Sequence, residues 1–467
     1  MLLRPPVRQL ALLLSCQFGA ARRLPGTGCA SLRFVTAAAA IRAAVPVPAP
    51  VLSINPKLDA TLPYRALAFY AISPIAQPDE AVESHRAFLT ERGMVGRVYL
   101  CEDGINAQVS GAAEQCAEYR AYCHDQLGPG AAPEPILFKE DPCDELAFPR
   151  LRVKHRSLVP SGELLGGGAS GRVASLQDRG RDVSPAEWEE LLAKADGGGE
   201  EGGGGGAPIV LDVRNGYEWD VGRFDGAARP SPDTFAQSDE EAHAARARCR
   251  LSDSGPSVAC PPADLRRLCA ALQAYGLPSD PEERAETPVM MYCTGGIRCE
   301  YFGARLRAAG FEKVYKLQGG VQHYGNAHAA AEEAPPRWKG SLFVFDRRNT
   351  VPLGGASSEV VGQCVHCGAP TEAFVNCGNI DCNKLHLVCE HCLPRTGGFC
   401  CEPCSTAPRR RPPVTSLADL AATQGAPPGQ PDPNRLSSVK PHNVGRKEYD
   451  ADEHGCAPAA GSEVGGS

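Results

Sequence analysis

The sequence predicts a multidomain α/β protein: a ferredoxin-like βαββαβ domain at the N-terminal side, a parallel α/β domain built around one cysteine loop, and a small cysteine-rich zinc module. Three observations predict it. Strand-like alternation and helix-like periodicity follow one another in the order βαββαβ between residues 59 and 160. The stretch Cys293-Thr294-Gly295-Gly296-Ile297-Arg298-Cys299-Glu300 joins an apolar run, 288–292, to a helical pattern, 300–309, that stops at Gly310. Nine of the 21 cysteines lie between Cys364 and Cys404, and in a chain this long that density points to metal more than to disulfides.

Residues 1–58 contain no Asp or Glu, but do contain Arg4, Arg8, Arg22, Arg23, Arg33 and Arg42 among many Ala, Leu and Pro. That is the composition of a transit peptide for a mitochondrion or plastid, or of a disordered leader in a cytoplasmic protein. In the next domain, 59–160, strands are expected at 64–72, 95–100, 107–110 and 136–139, and helices at 78–92 and 112–127. The segment 149–156 closes this domain. If it is extended, period two puts Arg150, Arg152, Lys154 and Arg156 on one face and Leu151 and Val153 on the other. Such a row suits nucleic-acid phosphates, and equally suits a solvated edge strand.

Residues 161–206 read as glycine-rich linker with one short helix at 184–195. The parallel α/β domain is placed at 207–345, with strands at 209–213 and 313–317 beside the central run 288–292. Residues 236–286 look like a surface insertion around one helix, 262–275. The cysteine-rich module occupies 360–405, and the tail, 406–467, has a disordered composition. A net charge of −7 argues against a generally basic RNA-coating protein, and no segment is apolar enough to span a membrane.

The chemistry centres on Cys293. A glycine loop between strand and helix turns backbone N–H groups inward, the helix N-terminus adds partial positive charge, and Arg298 carries a full one. All three favour the thiolate, the reactive form. Asp212 and Arg214 close strand 209–213 and are expected to face the same crevice or to form a structural ion pair. Cys299, in the first turn of the helix, either resolves an oxidised Cys293 or is simply packed. The cluster Cys364-x2-Cys367-x9-Cys377-x4-Cys382-x6-Cys389-x2-Cys392-x7-Cys400-Cys401-x2-Cys404 supplies ligands for two zinc ions, with His366, His386 and His391 as possible substitutes. A crossed arrangement joins Cys364 and Cys367 to Cys389 and Cys392, and Cys377 and Cys382 to the last pair; local geometry permits Cys401 with Cys404 there. All-cysteine sites are structural, since no coordination position stays open. No dinucleotide glycine fingerprint and no flavin motif is found.

Leu211-Asp-Val-Arg-Asn-Gly-Tyr-Glu218 with 222–227, and the CxxxxR loop at Cys293, resemble the two signatures of a rhodanese domain. The run CTGGIRCE, the N-terminal domain and the cysteine cluster together resemble the TrhO family, over roughly residues 60–160, 207–235 and 287–404. The resemblance implies an oxygen-dependent tRNA uridine hydroxylase that makes 5-hydroxyuridine at the wobble position, with dioxygen as co-substrate and Cys293 as active-site cysteine. It also favours Cys400 with Cys404 in the second zinc site. Tyr301 departs from the lysine usual after the CTGGIRCE glutamate. Two other functions fit the residues: a sulfurtransferase carrying persulfide on Cys293, and a non-enzymatic scaffold using the zinc module.

Overall fold

The computed structural model describes residues 61–127, 136–159, 174–196, 208–227, 276–278, 280–330, 335–353 and 358–418. The leader expected at 1–58, both glycine tracts and the helix expected at 262–275 lie outside them. No helix among the described residues is long and apolar enough to cross a membrane.

The N-terminal domain is β1 (Tyr64–Ile72), α1 (Pro78–Glu91), β2 (Val95–Cys101), β3 (Gly104–Ala112), α2 (Ala113–Leu127) and β4 (Lys139–Cys143), joined by β5 (Leu151–His155). The sheet order is β4-β1-β3-β2-β5, the ferredoxin-like order with β5 added parallel to β2 at the edge. Leu67, Phe69, Val98, Val109 and Val153 pack one face of the sheet against Val82 and Leu89 of α1 and Tyr119 of α2. Among the described residues, the other face carries no helix of this domain. The last strand of the core pattern is Lys139–Cys143, later than the expected 136–139. Pro142 is tolerated in it because β4 is an edge strand and Pro142 owes the sheet no donor there.

The second domain has an all-parallel sheet, β6-β10-β9-β7, from Arg181–Val183, Val314–Leu317, Val289–Tyr292 and Ile209–Asp212. Met290 and Tyr292 face α3 (Pro185–Asp196) and α7 (Gly320–Ala330), through Trp188, Leu192, Val321 and Tyr324. Val289 and Met291 face α6 (Ile297–Ala308) through Phe302 and Leu306. Burial on both faces explains the unbroken apolar run. The short helix expected at 184–195 is α3, but the linker expected around it over 161–206 is corrected at 181–183, and both elements belong to this domain. β6 pairs with β10, and Trp188 of α3 is fully buried. Only the described part of the expected insertion can be placed: α5 (Pro281–Glu286) begins under an Asp280 cap, and buried Arg284 donates to Ala309 O.

After β7, α4 (Gly216–Val221) leads into β8 (Gly222–Phe224), which pairs with β11 (Trp338–Phe343) and, through it, β12 (Thr350–Pro352). The cysteine module adds β13 (Phe374–Asn376), β14 (Leu385–Leu387), α8 (Leu393–Thr396) and α9 (Glu402–Thr406). The described part of the tail, 406–418, is ordered against this module, contrary to the disorder expected after 405. Arg411 donates to Cys377 O and Asn383 Oδ1, and Val414 N donates to Gly397 O.

Candidate active site and metal clusters

Cys293 leaves the carboxyl end of β9 and is fully buried. Gly296 N donates to its Sγ at 3.1 Å. Gly296 has φ +101°, a left-handed conformation that glycine accepts and that aims this N–H inward. The loop carbonyls are held from behind by the start of α7: Val321 N donates to Cys293 O and Gln322 N to Thr294 O, both at 3.0 Å. Gly320, at φ +66°, lets that helix approach, since a Cβ there would lie 2.4 Å from Cys293 O. Burial opposes ionisation of the Cys293 thiol. The hydrogen bond from Cys299, the charge of Arg298 and the backbone N–H groups of Cys299 and Arg298 outweigh it and bring the pKa down to about 5. Cys299 is itself buried, and burial and its bond to Cys293 keep it a thiol. It therefore acts here as a donor to the Cys293 thiolate.

Arg298 does not face the thiolate alone. Its Nη1 and Nη2 meet both carboxylate oxygens of Glu218 at 2.7 and 2.9 Å, and Nη2 also donates to Thr294 Oγ1 at 3.0 Å. Thr294 Oγ1 donates to the same carboxylate. Burial disfavours the Glu218 charge, but Arg298 and Arg214 hold its carboxyl below the usual range. Sequence reasoning does not single out Glu218 as a site residue, although Asn215-x-x-Glu218 has the spacing of a capping box and closes one at α4.

Asp212 and Arg214 do not face the crevice, which corrects one of their two expected placements. Arg214 Nε and Nη2 bind the Asp212 carboxylate at 2.9 and 2.6 Å, with both side chains fully buried. Nη2 also donates to Gly222 O at 2.6 Å, so the pair ties β7 to β8 as structure. Tyr301 packs against Cys101, Leu158 and Val159 and thereby docks α6 on the N-terminal domain.

The helix-free face of the N-terminal sheet and the Cys293 loop enclose a cavity of about 450 Å³. Strand register aligns two rows on this face. One runs Lys139, Ala68, Gln108, Arg97, Arg152; the next runs Tyr70, Asn106, Tyr99, Lys154. The β4, β1, β3 and β2 members of both rows line the cavity opposite Thr294, Gly295 and Arg298. Arg152 and Lys154 are exposed and extend the wall outward. Arg156 lies over the Tyr99 ring at 4.9 Å and also lines the cavity, while Arg150 precedes the strand and is half-buried. Lys139 is a further residue that the sequence does not reveal: buried, with Nζ donating to Gly295 O at 2.8 Å. Tyr70 OH donates to Glu300 Oε1 at 2.6 Å, and Lys316 holds the other oxygen at 2.6 Å.

Eight of the nine cysteines resolve into two sets that can each hold a metal ion: Cys364, Cys367, Cys389 and Cys392, and Cys377, Cys382, Cys400 and Cys404. Within each set the sulfur atoms lie within 4.8 Å of one another. The pairing is crossed, with Cys400 rather than Cys401 in the second set. His366, His386 and His391 belong to neither. Arg395 Nη2 lies 3.2 Å from Cys392 Sγ and Asn379 Nδ2 3.4 Å from Cys404 Sγ, donors of the kind that support thiolate ligands. The module packs Phe374 and Leu387 onto Phe343 and Val221, beside Tyr217 of the cavity wall.

Fold and site thus define a rhodanese-type thiolate loop roofed by a ferredoxin-like domain and braced by a twin-cluster module. The family profiles agree: residues 64–159 match the UPF0176 acylphosphatase like domain, 189–327 the Rhodanese-like domain and 339–405 the Rhodanase C-terminal region. The chain is 36% identical over 348 residues to the tRNA uridine(34) hydroxylase of Protochlamydia amoebophila, covering 74% of this chain and 89% of that protein. It is 36% identical over 350 residues to that of Chlamydia felis, with the same coverage, and 35% identical to that of Chlamydia caviae, covering 74% and 87%. The chain belongs to the tRNA uridine(34) hydroxylase family.

Proposed function

We propose that this protein hydroxylates uridine 34 of tRNA, with Cys293 acting on the base in the cavity between its first two domains. The cavity carries the reading: one wall is a polar and cationic sheet face, the other a thiolate loop, and about 450 Å³ lies between them. That volume falls in the ~300–1,000 Å³ range of small-molecule sites. Position 34 lies in a single-stranded loop, where a base can be splayed into such a pocket. A thiolate there adds to C6 of uracil: the Sγ–C6 bond forms, the C5=C6 pair shifts toward O4, and C5, the carbon that carries the hydroxyl in the product, becomes nucleophilic. Dioxygen, the co-substrate the family resemblance implies, would give one atom to C5 and the other to water, with two electrons from an external reductant.

Arg152 and Lys154, with Arg150 and Arg156, run outward from the cavity wall and would hold the flanking phosphates. Zinc is the metal that best suits two sets of four thiolates, and it would be structural in both. Residues 1–58 would direct the protein to a mitochondrion or plastid. The four-residue spacing between Cys293 and Arg298 also suits persulfide transfer. One experiment separates the two. Bacteria lacking their own wobble-uridine hydroxylase should regain 5-hydroxyuridine in tRNA when they express residues 59–467. No hydroxyuridine, together with a Cys293 persulfide formed from thiosulfate and discharged by an acceptor, would make the protein a sulfurtransferase.

A further inference from the structure

Among the described residues, cations beside the Cys293 loop are matched by carboxylates. Arg298 is bidentate on Glu218, and Lys316 is bound to Glu300. Lys139 is different. Among the described residues its hydrogen-bond partner is a neutral carbonyl, Gly295 O, and no carboxylate lies within ion-pair distance of it. It is 3% exposed, lines the cavity, and lies 5.3 Å from the Tyr70 ring centroid. A buried ammonium without a carboxylate is costly, so something else must favour it.

We propose that Lys139, supplied by the N-terminal domain, is the positioning residue that provides the unmatched positive charge beside the Cys293 thiolate and fixes the loop through Gly295. The inference deepens the hydroxylase reading above and rests on it. The groups around Nζ are Tyr70 of β1, Asp141 of its own strand and Cys293 of the loop. Asp141 is already held by Gln322 at 2.9 Å and Arg348 at 3.5 Å. Burial brings the Lys139 pKa down to about 8 while Cys293 and Asp141 hold it up, so the charge is present at neutral pH. During addition, the Sγ–C6 bond forms, the C5=C6 pair shifts toward O4, and the negative charge moves from sulfur to the base. No electron is gained or lost, and the ammonium held at Gly295 O interacts electrostatically with the Cys293 charge from which the addition starts.

The test compares Lys139→Met with Lys139→Arg in the full chain. Two quantities are read: the rate at which 5-hydroxyuridine appears in tRNA of hydroxylase-deficient cells, and the pH midpoint of iodoacetamide labelling at Cys293. Losing one preorganised charge-stabilising donor should slow product formation by about 10²- to 10³-fold in Lys139→Met. The labelling midpoint should move to higher pH, because removing a cation disfavours the thiolate. Lys139→Arg should bring the midpoint back and recover about tenfold of the rate. A Lys139→Met chain within about threefold of the unchanged rate would overturn the proposal. An unmoved midpoint, or an arginine variant no better than methionine, would do the same. Should Lys139→Met fail to fold, Lys139→Gln keeps a donor for Gly295 O without the charge and gives the same comparison. If the unchanged chain makes no hydroxyuridine, the hydroxylase reading falls, while the labelling midpoint still decides the role of Lys139.

Discussion

One methyl group at position 320 should disable the loop. Gly320→Ala places a Cβ 2.4 Å from Cys293 O in a left-handed conformation. We expect a loss of about 1–3 kcal/mol in chemical denaturation, with product formation falling further because the loop itself must move. Glu218→Gln leaves Arg298 buried against a neutral amide; a fall in stability of about 3–5 kcal/mol is expected for breaking a buried pair from one side. Cys293 should take up iodoacetamide with a midpoint at about 5. The thiolate is lost as pH falls through that value, so activity should decline on the acid side there and not near the ~8.5 of a free thiol. At this scale the sequence is legible where contacts are local. Cys293, Gly296 and Arg298 stand in one short loop. Glu218 and Lys139 lie 80 and 156 residues from the atoms they hold, and no local pattern announces such a contact.

The strand β5 extends the cationic face of the cavity wall outward. Its register opposite β2 sets Arg152 beside Arg97 and Lys154 beside Tyr99 on the cavity-side face. The Arg152→Ala/Lys154→Ala double variant should bind tRNA more weakly. The slope of log affinity against log salt should fall in magnitude by about 2, one for each phosphate that the variant no longer neutralises. An unchanged slope would reduce β5 to an edge strand protected by charge. Period two assigns this face correctly from sequence because Leu151 and Val153 mark the buried side. Strand β4 is harder to place because Pro142 looks like a stop, and only the sheet order reveals an edge strand where proline is tolerated. The helix at 184–195 is legible, but β6 beside it is not, for a related reason: it is three residues long, and its pairing to β10 is non-local.

Among the described residues, the three folded parts converge on the cavity beside the Cys293 loop. The first domain gives a wall, the second gives the thiolate loop, and the module packs against Phe343, beside α4, which carries Tyr217 and Glu218. Metal should therefore matter to the site without taking part in the chemistry. The purified chain should hold two zinc ions by elemental analysis. Cys400→Ser should hold one, whereas Cys401→Ser should keep both, since Cys401 lies outside the second cluster. The domain order and the cysteine spacing make this architecture readable, but the cavity arises from how two sheets face each other, which spacing does not encode. Whether Cys293 acts on uridine 34 in that cavity is decided by nucleoside mass spectrometry of tRNA from hydroxylase-deficient bacteria expressing residues 59–467, unchanged or as Cys293→Ser, at equal soluble levels and with tRNA binding verified for both. Hydroxyuridine restored by the unchanged chain and absent with Cys293→Ser is the predicted result; hydroxyuridine restored equally by both would contradict it.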